Sequence, residues 1–319
     1  MKTFRSIVPL ENPGWVMTHQ DKIMMIGSCF SANIGQKLIY HGFDAVCNPF
    51  GVLFNPASIS QTIRRLIDLQ MFSENDFFWD GSLWNSFSCS SHMSGTNLDS
   101  VLSVANNRID TASAHLHNAD ILMITWGTCW VYELNRSGEI VANCHKLPRS
   151  EFSRKRLNVD EIVAEYTILI SCISSIKPMK IILTVSPIRH WKDGARENTL
   201  SKAILHLAAE ALQNLHNNLF YFPAYEILID ELRDYRFYAD DLFHPSNLAI
   251  EYIWERFASV CYNSETWEIT SKIAEYKKMK EHRPLHGDTS AYETFKNKTI
   301  LVKDQILKKY PFLAGRLIE

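Results

Sequence analysis

Three side chains in the sequence have the residue types and the spacing that nucleophilic catalysis requires. Ser28 closely follows the apolar run 23–26, and Asp241 precedes His244 by three residues. Across a turn, this spacing lets the carboxylate hold the imidazole Nδ1, which leaves Nε2 to take a proton from a serine hydroxyl. Backbone N–H groups at Ser28 and Gly51 can then hold a developing oxyanion. The residues therefore predict acyl transfer through a serine.

Each of these features also has a simpler interpretation. Ser28 fits an ordinary strand–helix turn, and an isolated D-x-x-H is common. Their positions favour chemistry, because the apolar run ends abruptly at Gly27 and the segment 31–41 has helical spacing. Ser28 is therefore predicted to lie where a strand ends and a helix begins, and helix N-termini favour negative charge.

The elements that must position these residues alternate along the chain. Strands are predicted at 23–26, 43–47, 121–125, 180–186 and 219–222, and helices at 31–41, 56–69, 97–117, 158–176, 196–214 and 245–262. This alternation predicts an α/β fold, a parallel sheet doubly wound with helices on both faces. The carboxyl ends of parallel strands share one edge, so the candidate residues should converge there.

Other segments interrupt or follow this pattern. Segments 130–133 and 139–144 are predicted to form a hairpin. We predict one catalytic domain over 1–262, with an insertion over about 71–118 that begins with aromatic and serine-rich sequence of little periodicity. From 263 to 319 the strand patterns stop, and a helical C-terminal extension is predicted.

Composition excludes several classes of partner. The 319 residues are 46% hydrophobic with a net charge of −2, so no global field attracts nucleic acid or an anionic membrane. No apolar run approaches the ~20 residues of a membrane helix, and the N-terminus has no signal-peptide pattern. The seven cysteines include no C-x-x-C pair, which is typical of reduced thiols. We expect a cytoplasmic protein.

Four further residues are candidates for substrate binding. His145 and His190 lie on predicted loops and either contact substrate, act as the base or are structural. Arg189 has the chemistry to clamp a carboxylate or phosphate, with a surface ion pair as the alternative. Trp84 is a candidate wall of a sugar-binding cleft, with core packing as the alternative.

Competing chemistry has weaker support. Cys29 next to a helix N-terminus is a possible thiol nucleophile, but packing is preferred because its side chain should face away from that of Ser28. His115 and His117 lie on different sides of an amphipathic helix, which disfavours a metal site. No Gly-x-Ser-x-Gly, Walker or Gly-x-Gly-x-x-Gly motif occurs, and we expect no cofactor.

Four segments together resemble the GSCFA family. They are GSCFS at 27–31, with Ser31 in place of the final alanine, NPFGVLFNP at 48–56, NCHK at 143–146 and SPI at 186–188. The resemblance covers about 20–262, and the family is similar to the SGNH/GDSL hydrolases. It implies a three-layer α/β/α fold with flavodoxin-like strand order, and esterase-like chemistry without a metal.

The resemblance also implies roles for individual residues. Ser28 matches the nucleophile block, Gly51 the glycine oxyanion block, and Asp241 and His244 the terminal D-x-x-H block. One block departs from the SGNH pattern. That pattern carries, after the central strand, an asparagine that donates to the oxyanion, whereas here Gly127 is followed by Thr128 and no asparagine is present. Either Thr128 or another donor substitutes, or the oxyanion hole is weaker.

Together these observations predict a serine-dependent hydrolase of a small acyl ester, with the acyl group carried on a carbohydrate or similar polyol. Two alternatives remain. The same residues could pass the acyl group to a sugar hydroxyl, as an O-acyltransferase does. The missing asparagine favours the other, a non-catalytic module that binds a glycan or a protein.

Overall fold

The computed structural model describes residues 5–284 and 289–317. The strands are β1 (Lys22–Gly27), β2 (Asp44–Cys47), β3 (Phe78–Trp79), β4 (Trp84–Asn85), β5 (Ile121–Trp126), β6 (Trp130–Leu134), β7 (Ile140–Val141), β8 (Phe152–Arg156), β9 (Lys180–Val185) and β10 (Leu219–Tyr221). The helices are α1 (Cys29–Tyr40), α2 (Pro56–Ile67), α3 (Leu98–His117), α4 (Val159–Ile176), α5 (Ala195–Leu215), the single turn α6 (Ala224–Glu226), α7 (Asn247–Cys261), α8 (Ser264–Glu281) and α9 (Ser290–Lys309).

Five strands form the central sheet in the order β2-β1-β5-β9-β10, and every adjacent pair is parallel. Counted in chain order, this is the 2-1-3-4-5 arrangement of a doubly wound sheet. The predicted α/β class and strand order are confirmed. The order places the ends of β1, β5 and β9 side by side, so the loops that follow them adjoin one another.

Successive residues of β1 pack against different helix layers. Met24 and Ile26 pack in the core formed with α2, α3, α4 and α5. Ile23 and Met25 pack in the core formed with α1 and α7. A strand buried on both faces reads as a continuous apolar run, which is why the sequence predicts β1, β5 and β9 clearly.

A smaller antiparallel sheet, β7-β6-β8, follows β5. The predicted hairpin is present as β6 and β7. The strand β8 was not predicted, because its sequence, FSRKR, is mostly charged and alternates with only one side partly covered. The helix α3, which the predicted insertion included, packs against β1 and the neighbouring helices.

The C-terminal helices α8 and α9 share a small apolar core that includes Ile273, Ile306 and Leu313. This region also contacts the edge of the main sheet, where the Arg316 guanidinium donates to Gly42 O at 3.4 Å and to Asp44 Oδ2 at 3.3 Å. Within the described ranges, no helix has the length and apolar character that crossing a membrane requires.

Candidate active site

Ser28 lies at the junction of β1 and α1. It is the residue that precedes the first turn of α1, and its side chain makes no capping bond. The residue is 1% exposed, and its Oγ has no hydrogen-bond partner among residues 5–284 and 289–317. A buried hydroxyl without a partner is unusual in a folded protein and marks a place where a ligand or water completes the structure.

The close approach of β5 requires Gly27 at the end of β1. A Cβ built on Gly27 would lie 2.4 Å from Thr125 O. The helix α1 begins at Cys29, two residues before the predicted start, so Ser28 occupies the N-cap position, without a side-chain capping bond. Burial raises the pKa of the Cys29 thiol, which disfavours a thiolate nucleophile beside Ser28.

The two backbone groups predicted to hold an oxyanion both have partners inside the protein. The Ser28 N–H donates to Thr125 O at 3.2 Å, and the Gly51 N–H donates to Asn48 O at 2.8 Å. Gly51 has φ +86°, and a Cβ there would lie 1.8 Å from Ser90 Oγ, so only glycine fits. Use of either N–H by an oxyanion requires it to exchange or share its present acceptor.

Thr128 is buried, and its hydroxyl is occupied locally. Thr128 Oγ1 lies 3.1 Å from Ser201 Oγ on α5 and accepts from the Trp130 N–H at 3.2 Å. The Cys129 N–H donates to the same Ser201 oxygen at 2.9 Å. These bonds tie the loop after β5 to α5, and the predicted oxyanion contact of Thr128 stays a prediction.

Asp241 and His244 form the predicted pair. The Nδ1–H of His244 donates to Asp241 Oδ2 at 2.6 Å, because a carboxylate can only accept. Asp241 Oδ1 also accepts the N–H groups of Phe243 and His244, each at 2.9 Å. These bonds, that from the His244 N–H first, lower the pKa of Asp241 to about 2. The tautomer of His244 is thereby fixed, with Nε2 as the acceptor.

Ser28 and His244 are not hydrogen bonded in this structure, since the serine hydroxyl has no partner in the described residues. The His244 side chain is 46% exposed, in contrast to buried Ser28. The His244 turn adjoins the loop after β9 at the same sheet edge, because Phe243 stacks on Trp191 of that loop with ring centres 5.4 Å apart. Catalytic hydrogen bonds are often long or open in proteins without substrate.

His190 lies at the sheet edge, between these loops. Its Nε2 is 3.0 Å from where a Cβ on Gly127 would stand, and its ring meets Phe54 edge-on at 5.5 Å. Burial, followed by the positive charges that Lys202 and a protonated His244 carry, lowers the pKa of His190 to about 3. His190 is therefore a neutral ring, and its buried Nε2 has no hydrogen-bond partner in the described part of the chain.

Arg189, next to His190, is half-buried and forms no ion pair with any residue that the structure describes. Its positive charge acts on Tyr225 and Tyr238, although burial is the dominant influence and raises the pKa of both phenols. The predicted alternative, a surface ion pair, is absent from the described residues. A half-buried guanidinium without a carboxylate is suited to a negatively charged ligand.

His145 and Trp84 have local structural partners. The Nε2–H of His145 donates to Ser86 O at 2.7 Å, and burial lowers the pKa of its imidazole. Trp84 packs against the main core and against Trp79, with ring centres 5.6 Å apart. Both residues therefore help to hold the segment between α2 and α3, and their predicted contact with substrate stays a prediction.

Two residues that the sequence analysis missed lie at this edge. Lys202 is buried on α5, and its ammonium donates to Gly127 O and Ser186 O, both at 2.7 Å, which joins the loops after β5 and β9. Burial lowers the pKa of Lys202 to about 7. Asn48 is the other. A lysine at an inward position of α5 was a readable signal, whereas the loop sequence around Asn48 indicated only a turn.

No potential metal centre of three or more His, Cys, Asp or Glu side chains occurs in the described ranges. His115 Nε2 lies 3.0 Å from Ile23 O, whereas His117 Nδ1 lies 2.8 Å from Ser113 O, so the two rings bond to different elements.

Comparison with known proteins identifies the family. A search of curated proteins finds no match. The model of the GSCFA family matches residues 22–257, a span that includes β1, the Ser28 junction and the Asp241–His244 turn. The match covers well over half of the chain. On this evidence the chain belongs to the GSCFA family.

Proposed function

We propose that this protein is a serine-dependent ester hydrolase, similar to the SGNH/GDSL hydrolases, with Ser28, His244 and Asp241 as its catalytic residues. One observation carries the proposal: a buried serine hydroxyl, with no partner in the part of the chain that the structure describes, lies at the carboxyl edge of a parallel sheet whose last loop holds an oriented Asp–His pair. This is the edge at which open α/β sheets bind ligands.

The mechanism follows from these groups. His244 Nε2 accepts the Ser28 proton while Oγ attacks the ester carbonyl, and Asp241 stabilises the imidazolium that forms. The imidazolium then protonates the leaving alcohol as the C–O bond breaks, which leaves an acyl group on Oγ. Water attacks the acyl-enzyme with His244 again as base, releasing the acid and the free serine. Since Ser28 and His244 are not bonded in this structure, substrate binding must bring them together.

Two features support a substrate class. Arg189 supplies a half-buried positive charge beside the site, which suits a carboxylate or phosphate on the substrate. Trp79 is 47% exposed and meets Trp84 on the β3–β4 hairpin, an aromatic surface of the kind that stacks on sugar rings. We therefore propose an O-acyl group on a carbohydrate or similar polyol. Passing the acyl group to a sugar hydroxyl instead of water would make the protein an O-acyltransferase.

A non-catalytic binding module is the second candidate function. The observation that favours it is the open Ser28–His244 pair, together with backbone N–H groups at Ser28 and Gly51 that already have acceptors. A module of this kind would bind the glycan or protein without turning it over.

A panel of acyl esters, run with and without sugar acceptors, tests these proposals. We expect wild-type protein to release the acid, and Ser28→Ala to lose all measurable turnover because no nucleophile remains. A fluorophosphonate probe should label wild type at Ser28. Acyl transfer only with an acceptor present would select the transferase, and no labelling with retained glycan binding would select the binding module. Labelling at Cys29 would contradict the assignment of Ser28.

A further inference from the structure

The oxyanion of the proposed reaction needs a hydrogen-bond donor that is not already in use. A tetrahedral intermediate on Ser28 carries a negative oxygen, and donors must stand about 3 Å from it. The backbone N–H groups of Ser28 and Gly51 donate to Thr125 O and Asn48 O. The loop after β2, which adjoins the end of β1, contains a donor that has no acceptor within residues 5–284 and 289–317.

We infer that the side-chain amide of Asn48 supplies this donor, as a further catalytic residue of the proposed reaction. Asn48 Nδ2 is buried and has no hydrogen-bond partner among the described residues. The amide oxygen, Oδ1, accepts the Gly27 N–H at 2.8 Å. Gly27 can only donate there, so the amide is oriented with its oxygen on Gly27, and Nδ2 is bonded to the same carbon, beside the residue that precedes Ser28.

The backbone holds Asn48 rigidly in this position. Its N–H donates to Met25 O at 2.8 Å, and its carbonyl accepts the Gly51 N–H at 2.8 Å. Its φ is +48°, a left-handed conformation that asparagine tolerates better than most residues. Strained backbone and an unsatisfied buried donor both oppose folding, and such features persist mainly where a site uses them. A donor fixed before substrate arrives is also what electrostatic catalysis requires.

Neighbouring polar atoms favour a site over a local packing defect. Ser28 Oγ, Ser90 Oγ and His190 Nε2 are likewise buried without a hydrogen-bond partner in the described residues. Ser90 lies directly over Gly51, and His190 lies over Gly127. Unpaired polar atoms thus border the loops after β1, β2, β5 and β9, where a polar substrate can satisfy them.

The isosteric variant Asn48→Asp separates donation from positioning. Aspartate retains an oxygen for the Gly27 N–H and tolerates the same backbone conformation, but it presents a second oxygen where Nδ2 stood. We expect the rate at which a fluorophosphonate labels Ser28, and kcat for an ester that wild type turns over, to fall by about 10²–10³-fold. KM should change little, because the interaction develops in the transition state.

Asn55→Asp is the matched control. Asn55 is buried in the same loop segment and caps α2 by accepting the Ser58 N–H at 2.8 Å, a role that aspartate also performs. It adds the same charge but removes no donor near Ser28, so labelling should stay close to the wild-type rate. An equal loss in Asn55→Asp would mean that negative charge in this loop, not a missing donor, slows the reaction, and would overturn the inference.

A second variant, Asn48→Gly, covers the case in which Asn48→Asp does not fold. Glycine adopts the left-handed conformation freely and removes both ends of the amide. It should lose as much activity, with a lower melting temperature because the Gly27 N–H loses its acceptor. This inference depends on the proposed function, and the two fail differently. Wild type that is not labelled at Ser28 overturns both, whereas normal labelling of a folded Asn48 variant overturns only the role of Asn48.

Discussion

The junction that carries Ser28 and the turn that carries His244 differ in how their polar groups are satisfied. At the junction, the serine hydroxyl and the Asn48 amide nitrogen are buried without partners in the described residues. In the turn, both carboxylate oxygens of Asp241 accept hydrogen bonds, one of them from the imidazole Nδ1 of His244. The His244 side chain is nevertheless 46% exposed. The junction is incomplete without a ligand, whereas the turn is complete by itself. In the proposed reaction, substrate binding must therefore supply the contact between the two.

Among the variants considered, removal of the general base should lower the rate of ester hydrolysis most. We expect His244→Ala to lower kcat for ester hydrolysis by roughly 10³-fold or more, because no group remains to accept the Ser28 proton. Asp241→Asn should cost as much or somewhat less, since it disturbs the tautomer but leaves the ring. Steady-state kinetics and circular dichroism on both variants provide the measurement.

His190→Ala is the matched control for that experiment, because His190 is the buried histidine at the same edge. Its pKa of about 3 keeps the ring neutral across about pH 5–8, so the pH profile of kcat should keep its shape and KM should rise.

The unfolded chain binds a proton at His190 below about pH 6.5, whereas the folded chain does not. This residue therefore lowers the free energy of unfolding as the pH falls from 6.5 towards 3. If His190→Ala is inactive while His244→Ala keeps its rate, His244 is not the general base, and the Asp241–His244 turn is not part of the catalytic site.

A smaller effect is expected from Arg189, in the loop after β9. Arg189→Gln should raise KM for an ester that carries a carboxylate or phosphate by roughly 10- to 100-fold, because one charge-assisted contact is lost. An uncharged ester of similar size should be hydrolysed with unchanged KM. Steady-state kinetics on the two esters, measured in parallel, make the comparison. An equal change in KM for both would show that Arg189 affects the structure of its loop and not the charge of the substrate.

The sequence predicts the parts of this site that depend on local order. Buried strands are continuous apolar runs, and Asp241 and His244 make a turn from adjacent residues, so both could be recognised. The start of α7 was placed too early, at Pro245, because that residue pairs with Tyr238 and Ser246 caps the helix instead.

Residues whose roles depend on distant partners could not be recognised in this way. Asn48 was hidden because its amide bonds to Gly27, 21 residues away. Lys202 was readable as a lysine at an inward helix position, but its partners were not, because these carbonyls follow two different strands. The open contact between Ser28 and His244 was also beyond the sequence, since motif spacing carries no information on how close two loops come.

The contact between Arg316 and β2 has a consequence for how the chain is made. β2 is an outer strand of the main sheet, and an uncovered strand edge can pair with another molecule. Arg316 reaches Asp44 across 272 residues of sequence, so this cover arrives only when residue 316 has left the ribosome, long after β2 has done so. We expect a chain that ends before α8 to aggregate from this edge, detectable as light scattering that the full chain does not show. Through this contact, a residue made late in synthesis covers the edge of a strand made early.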